Sequence, residues 1–390
     1  MSPISPARLI IAGIATTLAG IGLGRFAYAA LLPGLISQGW LSTADAGYVG
    51  AANLLGYLVG AVLASRAERL IGASVLIKGS TVLIALSFLL STWPAAVWWF
   101  TLWRFVAGVT GAFLMVAVPA LIAAGLPEHL RKRGGAWMFT GVGIGVVLSA
   151  TAVPTLIGYS LSLAWLALGL LSLIPLVLTW IHWPTPAAAS HQSEGAVQSA
   201  TLLLVFVYLA YLMDAIGFVP HTVFWVDYLE HHRGFSSSGG GAQWAILGAG
   251  AICGPFFAGA LARRIGWHRS LVTTLLIKGS AVLLPTIFAG LIAVSLSSFL
   301  VGAMIPSMVA CTAGRIGELL GPARQTAAWG RATALFAVGQ AGAAYVMAPI
   351  YAHSGSGKLI FEIGGAVLLC GAMLVLVSPL LAPRSRPVSG

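Results

Sequence analysis

Two arginines lie inside strongly apolar stretches of the chain, where a charged side chain is costly. Arg25 stands in GLGRFAYAALLP and Arg104 in RFVAGVTGAF. Ionisable residues in such stretches usually face a cavity or a charged partner. Two guanidinium groups that share one cavity would favour a carboxylate, sulfonate or phosphate held through paired hydrogen bonds. For Arg25 the alternative is structural: it donates to backbone carbonyls or to an Asn and locks the first helix to its neighbours. For Arg104 the alternative is that an internal Asp, best Asp214, pairs with its charge.

Asp214 and His221 form a second group of candidates, in YLMDAIGFVPH. A seven-residue spacing puts both on roughly one face of a helix, about 10 Å apart along its axis. A carboxylate and an imidazole in such a segment are the groups from which proton relays are made. Pro220 between them frees a backbone carbonyl and can bend the helix. The competing interpretation is a static ion pair of Asp214 with Arg25 or Arg104. In that case His221 only donates a hydrogen bond.

Several uncharged side chains are candidates to orient a bound molecule. The neutral donors and acceptors inside apolar stretches are Asn53, Gln243 and Gln340. Interhelical hydrogen bonds are the equal alternative for these three. The tryptophans between residues 93 and 103 are expected in an interfacial belt. The aromatic residues that we place deeper are Tyr28, Trp137 and Tyr345.

Two other groups of reactive side chains are interpreted as structural. The segment DYLEHHR at 227–233 could bind a divalent metal, but one segment defines no coordination geometry, and we interpret it as a solvated loop. The cysteines lack the paired spacing of a disulfide or metal framework and are interpreted as packing residues. They are Cys253, Cys311 and Cys370. We therefore predict no metal site and no cofactor.

The composition places all these residues in a membrane. Of 390 residues, 59% are hydrophobic and 7% charged, which is more apolar surface than a water-soluble core can bury. The apolar runs predict twelve transmembrane helices of about 20 residues or more. These helices begin near Arg8, Ala44, Ala73, Ala95, Gly134, Leu161, Thr201, Gly241, Leu271, Leu291, Trp329 and Lys358. The N-terminal MSPISPARLI is too short and too weakly basic for a cleaved signal peptide, so the first helix is expected to be retained.

Basic residues gather on one side of the predicted helices. Among the loops and helix ends, Arg233 and Lys358 fall on the other side. By the positive-inside rule both termini are cytoplasmic, and the net charge of +11 describes a cytoplasmic surface that faces the lipid headgroups. A nucleic-acid partner is not expected because these charges form no basic domain. We predict a multi-pass protein of the cytoplasmic (inner) membrane.

The chain divides into two halves. The stretch 182–200 is rich in Pro, Ser and Ala and predicts a cytoplasmic linker. It separates a six-helix bundle at 1–181 from a second at 201–390. LIKGS occurs at 76–80 and again at 276–280, each time after a basic loop, which indicates two parallel halves. In each copy the lysine is interpreted as an anchor that reaches the cytoplasmic interface.

The whole chain resembles the major facilitator superfamily of transporters. The loops GAVLASRAERLIG and GALARRIGWHR are similar to its repeated loop of glycines and basic residues, to which the resemblance gives a gating role. The residues concerned are Gly60, Arg66, Gly259, Arg264 and Gly266. The usual Asp of that loop is replaced by Ser65 or Arg263. The stretches GLGRFAYAALLP, AGYVGAANLLGYLVGA and GFVPHTVFWVDY resemble the YbfB/YjiJ-type branch, which implies a gradient-driven transporter but no particular substrate.

These observations predict an all-α integral membrane protein with two parallel six-helix bundles, the major facilitator fold. We expect a monomeric secondary transporter that moves a small organic solute by alternating access, with the proton as coupling ion. Arg25 and Arg104 would hold an anionic group, and Asp214 with His221 would exchange a proton. One alternative is a multidrug-type exporter, which the missing Gly-Pro pair after GVGIG at 141–145 weakens. Others are a non-transporting receptor and a membrane enzyme, for which no paired carboxylates or nucleophile and base stand at an interface.

Overall fold

The structure, a computed structural model, describes residues 5–183 and 202–381, and in this part of the chain every regular element is helical. The helices of the first stretch are α1 (Pro6–Thr17), α2 (Ala27–Ser37), α3 (Thr43–Ile71), α4 (Ala73–Leu89), α5 (Val97–Gly125), α6 (Glu128–Ile157) and α7 (Leu161–His182). Those of the second are α8 (Leu202–Gly217), α9 (Trp225–Asp227), α10 (Ser237–Ile287), α11 (Leu291–Leu320), α12 (Pro322–His353) and α13 (Lys358–Leu381). The predicted linker at 182–200 lies outside the described residues apart from its first two positions.

Wide π-helical turns interrupt two of the apolar segments. Leu18–Leu23 follows α1, and Pro220–Phe224 and Tyr228–His232 flank the short α9. Such turns are rare and are often found at functional sites. Arg25 follows the first of them and His221 lies in the second, so two of the predicted site residues stand where the helices are irregular.

Ten helical segments in the described part of the chain are long and apolar enough to cross a membrane. The sequence predicts twelve, and the difference has two sources. Helix α4 is apolar but has only 17 residues, and α10 continues for 51 residues through the position where a loop was expected. At Gly266 in α10, φ is 78°. A positive φ breaks the helical path, so α10 consists of two arms that meet at this glycine.

The glycines at 141–145 of α6 pack closely against two neighbours. A Cβ on Gly141 would lie 2.2 Å from a carbonyl oxygen of α1, and one on Gly145 would lie 2.6 Å from the first π-helical turn. On the opposite face, a Cβ on Gly143 would lie 2.4 Å from the carbonyl oxygen of Gly248 on α10. The close helix contacts predicted for these glycines are therefore present, and they bring α1, α6 and α10 together.

Helix α3 packs against helices from both described stretches of the chain. At Gly56 and Gly60, a Cβ would lie 2.2 and 2.4 Å from carbonyl oxygens of α5. A Cβ on Gly47 would lie 2.8 Å from the Cβ of Ala348 on α12. Because α3 contacts α5 on one side and α12 on another, its side chains can meet residues of both stretches.

Candidate functional site

Arg25 lies at the break in the first apolar segment, between the π-helical turn and α2. It is 9% exposed, and its guanidinium donates a hydrogen bond to Oε1 of Gln340 on α12. The ring centroid of Tyr57 on α3 lies 5.2 Å from the guanidinium carbon. Nε is buried without a hydrogen-bond partner, and no carboxylate pairs with Arg25, in the part of the chain that is described. A largely desolvated cation with an unused donor thus stands where α3 and α12 meet.

Arg104 supports the backbone of this break. It is 1% exposed, and its Nη2 donates to the carbonyl oxygen of Gly24 at 2.7 Å and to that of Arg25 at 3.4 Å. Asn53 Nδ2 donates to the same Gly24 oxygen at 3.2 Å and to the carbonyl oxygen of Arg104 at 2.9 Å. Two side chains from α5 and α3 therefore hold carbonyls that the irregular turn leaves outside the regular helical ladder.

Tyr28 extends this support. Its ring centroid lies 5.1 Å from the guanidinium carbon of Arg104, and its hydroxyl donates to the carbonyl oxygen of Ala46 at 2.7 Å. Tyr28, Asn53 and Arg104 all donate to backbone carbonyl oxygens. For Asn53 this is the interhelical alternative expected from the sequence, whereas the alternative expected for Arg104 is a pair with Asp214. Arg25 differs from them because its guanidinium bonds to a side chain.

Asp214 on α8 is bound by Lys278, a lysine that the sequence predicts to be an interfacial anchor. Its Oδ1 lies 2.5 Å from Nζ of Lys278 on α10, and both residues are buried. The Lys278 ammonium also lies 3.9 Å from the ring centroid of Phe218. The alternative of a static ion pair between Asp214 and an arginine is therefore wrong, because the ion pair is made with Lys278.

Lys78 and Lys278 share the sequence LIKGS but not an environment. Lys78 follows the positive-φ residue Gly72 by six residues, and its Nζ lies 5.5 Å from the ring centroid of Trp180. Lys278 follows the positive-φ Gly266 by twelve residues. At about 1.5 Å per residue, Lys278 lies about 9 Å further into its helix. The prediction that both lysines reach the interface is wrong for Lys278, which is 0% exposed.

Tyr211 connects the arginine and the ion pair. It is buried on α8, one helical turn before Asp214. Its ring centroid is 4.6 Å from that of Phe336 on α12. Arg25, the Lys278 ion pair and these aromatic rings therefore form one group at the junction of α3, α8, α10 and α12, which we call the central cluster.

Several members of the central cluster were missed from the sequence. The available signal was helical spacing from a predicted polar residue, since positions three or four apart share a helix face. The missed residues and their neighbours are Tyr57 beside Asn53, Tyr211 beside Asp214, and Phe336 beside Gln340. For Lys278, the sequence predicts the residue but not its depth in the helix.

His221 makes contacts that do not include Asp214. Its ring stacks on Trp225 with centroids 4.2 Å apart, and its Nε2 lies 3.0 Å from Oγ of Ser297. The Ser297 hydroxyl donates to a carbonyl oxygen of α10 at 2.7 Å. Its oxygen therefore accepts from His221, so Nε2 carries the proton. Helix α8 ends before His221, and the seven-residue spacing does not join the two residues in a hydrogen bond.

Three other predicted site residues lie outside the central cluster. Gln243 bonds to two serines of α11, donating to Ser295 at 2.9 Å and accepting from Ser298 at 3.1 Å, which is the interhelical alternative. Trp137 is 50% exposed and packs edge-on against Phe256 of α10. The expectation that Trp137 lies deep is wrong, because its face of α6 points outward. Similarly, the half-buried Tyr345 stacks on Tyr48 of α3.

The residues assigned to gating loops lie within helices, Gly60 and Arg66 in α3 and the other three in α10, so the expectation that they form loops is wrong. Gly60 packs against α5, and Gly266 breaks α10. Arg66 and Arg264 are exposed, and a Cβ on Gly259 would make only an ordinary contact. Their role in gating remains a prediction.

The segment 227–233 is helical and partly buried, which corrects its interpretation as a solvated loop. Asp227 Oδ2 accepts from the hydroxyl of Tyr351 at 2.5 Å, and Oδ1 pairs with Nδ1 of His231 at 2.8 Å. Tyr351 belongs to α12 and is distant in sequence, so this burial could not be read locally. Within the described ranges, no three metal-ligating side chains are grouped closely enough to hold a metal ion.

The profile of the family described as "Uncharacterised MFS-type transporter YbfB" matches residues 17–376. That range contains the whole central cluster. The chain belongs to this family of the major facilitator superfamily. This transporter is therefore a multi-pass membrane protein and not an enzyme.

Two curated relatives of this transporter carry substrate names. The 3-(3-hydroxy-phenyl)propionate transporter of Escherichia coli is 30% identical over 96% of this chain and 84% of its own length. The gentisate transporter of Corynebacterium glutamicum is 28% identical over 40% of this chain. The second match spans only 35% of that relative's length.

A solved structure has the same fold as this transporter. The human organic anion transporter MFSD10 (TETRAN) aligns with a TM-score of 0.70 over 95% of this chain and 99% of that chain. Sequence identity is 18%, so the likeness bears on the fold alone. It supports the predicted major facilitator architecture.

Proposed function

We propose that this protein is a secondary transporter that moves small aromatic carboxylates across the bacterial inner membrane by alternating access, coupled to the proton. The observation that carries the proposal is Arg25. Its guanidinium is largely buried, bonded to Gln340 and without a carboxylate partner among the described residues. A carboxylate that docks there would pair with a charge that is otherwise uncompensated.

The aromatic part of the proposed substrate class follows from the walls of the central cluster. Tyr57 faces Arg25, and Tyr211 and Phe336 pack together close by. Aromatic side chains favour offset or edge contacts with a bound ring. The relatives named for gentisate and for 3-(3-hydroxy-phenyl)propionate support this class, since both compounds combine an aromatic ring with a carboxylate.

The proton role is assigned to Asp214. A carboxylate buried in a membrane span is a group that commonly carries protons in transporters. His221 has no part in the proposed proton transfer, because it bonds to Ser297.

The proposed topology counts twelve spans. It adds α4 and counts the two arms of α10 separately on either side of Gly266. The N-terminal bundle is then 1–181, the linker 182–200 and the C-terminal bundle 201–390, with both termini cytoplasmic. The partners in this proposal are the lipid bilayer, the proton and the small-molecule substrate, and the protein acts as a monomer without a cofactor.

A binding screen on the purified protein tests the substrate class. A ligand that binds the folded state raises its thermal stability by mass action. We expect 3-(3-hydroxyphenyl)propionate and gentisate to stabilise the wild type, and the matching primary amides to have no effect. The stabilisation should disappear in Arg25→Gln and persist in Arg8→Gln, a control at an exposed position of α1.

Two outcomes would contradict the proposal. Stabilisation by amides or cationic amphiphiles alone would favour the multidrug-type alternative. Undiminished stabilisation by the acids in a folded Arg25→Gln protein would remove Arg25 from the site.

A further inference from the structure

The Lys278–Asp214 ion pair has a geometry suited to exchanging partners. Nζ of Lys278 lies 2.5 Å from one carboxylate oxygen, Oδ1, and among the described residues it has no other hydrogen-bond acceptor. An ammonium group carries three donors, so two remain unused. The rest of its surroundings include the face of Phe218 at 3.9 Å.

The central cluster has more positive than negative charge. Its charged members are Arg25, Lys278 and Asp214, and the titratable groups within electrostatic range of them are Tyr57, Tyr211 and His221. With both tyrosines neutral and His221 in its neutral tautomer, the empty cluster has one net positive charge. Binding one monoanion and one proton together leaves that charge unchanged, whereas binding the anion alone removes it.

We infer that Lys278 is a second anion-binding residue, which exchanges the Asp214 carboxylate for the carboxylate of the substrate when Asp214 takes up a proton. The inference rests on the proposed function. Protonation of Asp214 leaves the Lys278 ammonium buried without a counter-ion, which is strongly unfavourable. An incoming carboxylate restores an ion pair, so proton binding and anion binding favour each other.

The direction of the pH effect follows from this linkage. At high pH, Asp214 is ionised and occupies Lys278, so the anion binds weakly. At low pH, Asp214 is protonated and Lys278 is released, so the anion binds tightly. Because coupling between two ligands is reciprocal, binding of the anion must also draw a proton from solution.

The test uses the purified full-length protein with 3-(3-hydroxyphenyl)propionate as the probe. Its carboxylate, like a carboxylate in a model peptide, stays ionised between pH 6 and 8.5. Two quantities are measured across that range by calorimetry: the dissociation constant and, in buffers of different ionisation enthalpy, the number of protons taken up. Wild type should bind about tenfold or more tightly at the low end of the range. It should take up a proton on binding at the high end, where Asp214 is ionised before the anion binds.

Three single variants and one double variant separate the roles of the pair. Asp214→Asn should bind tightly at all pH values without proton uptake, because Lys278 is permanently free. Lys278→Gln should bind at least about tenfold more weakly and lose most of the pH dependence. Lys78→Gln, the same substitution in the other LIKGS sequence, should behave as wild type. The double variant Asp214→Asn/Lys278→Gln removes both charges, so it guards against misfolding caused by one unpaired charge, and it should bind weakly at every pH.

The possible failures are distinct. Binding by wild type that requires Arg25 but neither varies with pH nor takes up a proton would overturn the partner exchange and leave the proposed substrate site standing. Tight, pH-dependent binding by folded Lys278→Gln would also overturn the partner exchange and leave the proposed substrate site standing. Absence of binding by wild type would overturn both proposals.

Discussion

Arg104 on α5 donates to the carbonyl oxygen of Gly24 at 2.7 Å, one residue before Arg25. This bond fixes the backbone from which Arg25 projects toward α12. The two arginines, alike in residue type and burial, therefore have different tasks in this structure. One supports the irregular turn of the first span, and the other presents its side chain at the junction of the two stretches of the chain.

Arg104→Gln should reduce stability more than it reduces intrinsic affinity. Loss of the guanidinium removes its bonds to the Gly24 and Arg25 carbonyl oxygens, while Asn53 keeps its bond to Gly24. A hydrogen bond from a charged group contributes about 1.5–3 kcal/mol. The melting temperature in detergent should fall clearly below that of wild type. The folded fraction should still bind an aromatic carboxylate. Arg25→Gln should show the reverse pattern, and equal effects of the two substitutions on affinity would contradict the division of tasks.

Tyr57→Leu should reduce the preference for aromatic over aliphatic carboxylates. The Tyr57 ring lies 5.2 Å from the Arg25 guanidinium carbon, so the ring of an aromatic acid bound at Arg25 would contact it, and a pair of aromatic rings is worth about 0.5–1.5 kcal/mol. We expect a loss of affinity of up to about tenfold for 3-(3-hydroxyphenyl)propionate and a smaller change for hexanoate. Tyr57→Phe keeps the ring and is the matched control. An equal loss for both acids, or a loss in the control, would show that the ring does not select the substrate.

His221→Gln should leave the pH dependence of anion binding intact. His221 bonds to Ser297 and stacks on Trp225, while Asp214 is held by Lys278. We expect a lower melting temperature because a stacked, buried ring is lost, with the slope of affinity against pH unchanged. A slope abolished in this variant would restore the relay between Asp214 and His221 that the sequence suggested.

Gly143→Ala should destabilise the protein through one helix contact. The added Cβ would lie 2.4 Å from the Gly248 carbonyl oxygen, and overpacking of this kind costs about 1–3 kcal/mol. Gly135 stands on the same helix with nothing within 4 Å of its Cβ position. Gly135→Ala should therefore leave the melting temperature unchanged or raise it slightly, since Ala favours helix. Equal melting temperatures for the two variants would contradict the close approach of α6 and α10.

The membrane fold was accessible from the sequence because it follows from composition and from the length of apolar runs. The predicted close packing at residues 141–145 was also correct, since small residues permit helices to approach. The depth of Lys278 could not be predicted, because the shared LIKGS sequence suggested that Lys278 and Lys78 occupy equivalent positions in their helices. Lys278 lies further along the chain from Gly266 than Lys78 lies from Gly72. The partner of Asp214 lies on another helix, and no local pattern in the chain identifies it.

The arginines show the same limit. Their burial was predicted correctly from the apolar sequence around them. Their partners were not predicted, because Arg104 bonds to the backbone of an irregular turn and Arg25 bonds to Gln340, 315 residues away in sequence. Tyr211 and Phe336 could have been predicted, because each lies one helical turn before a polar candidate, Asp214 or Gln340. Residues one turn away from a buried polar residue are therefore good candidates for the same site.

The most direct measurement of the central claim is uptake of labelled 3-(3-hydroxyphenyl)propionate into proteoliposomes under an imposed proton gradient. We predict accumulation above the external concentration, directed toward the alkaline side and abolished by a protonophore. Arg25→Gln should show no uptake above empty liposomes, while Arg8→Gln should match the wild type. Accumulation that is unaffected by the protonophore, or that persists in Arg25→Gln, would contradict a proton-coupled carboxylate transporter that uses Arg25.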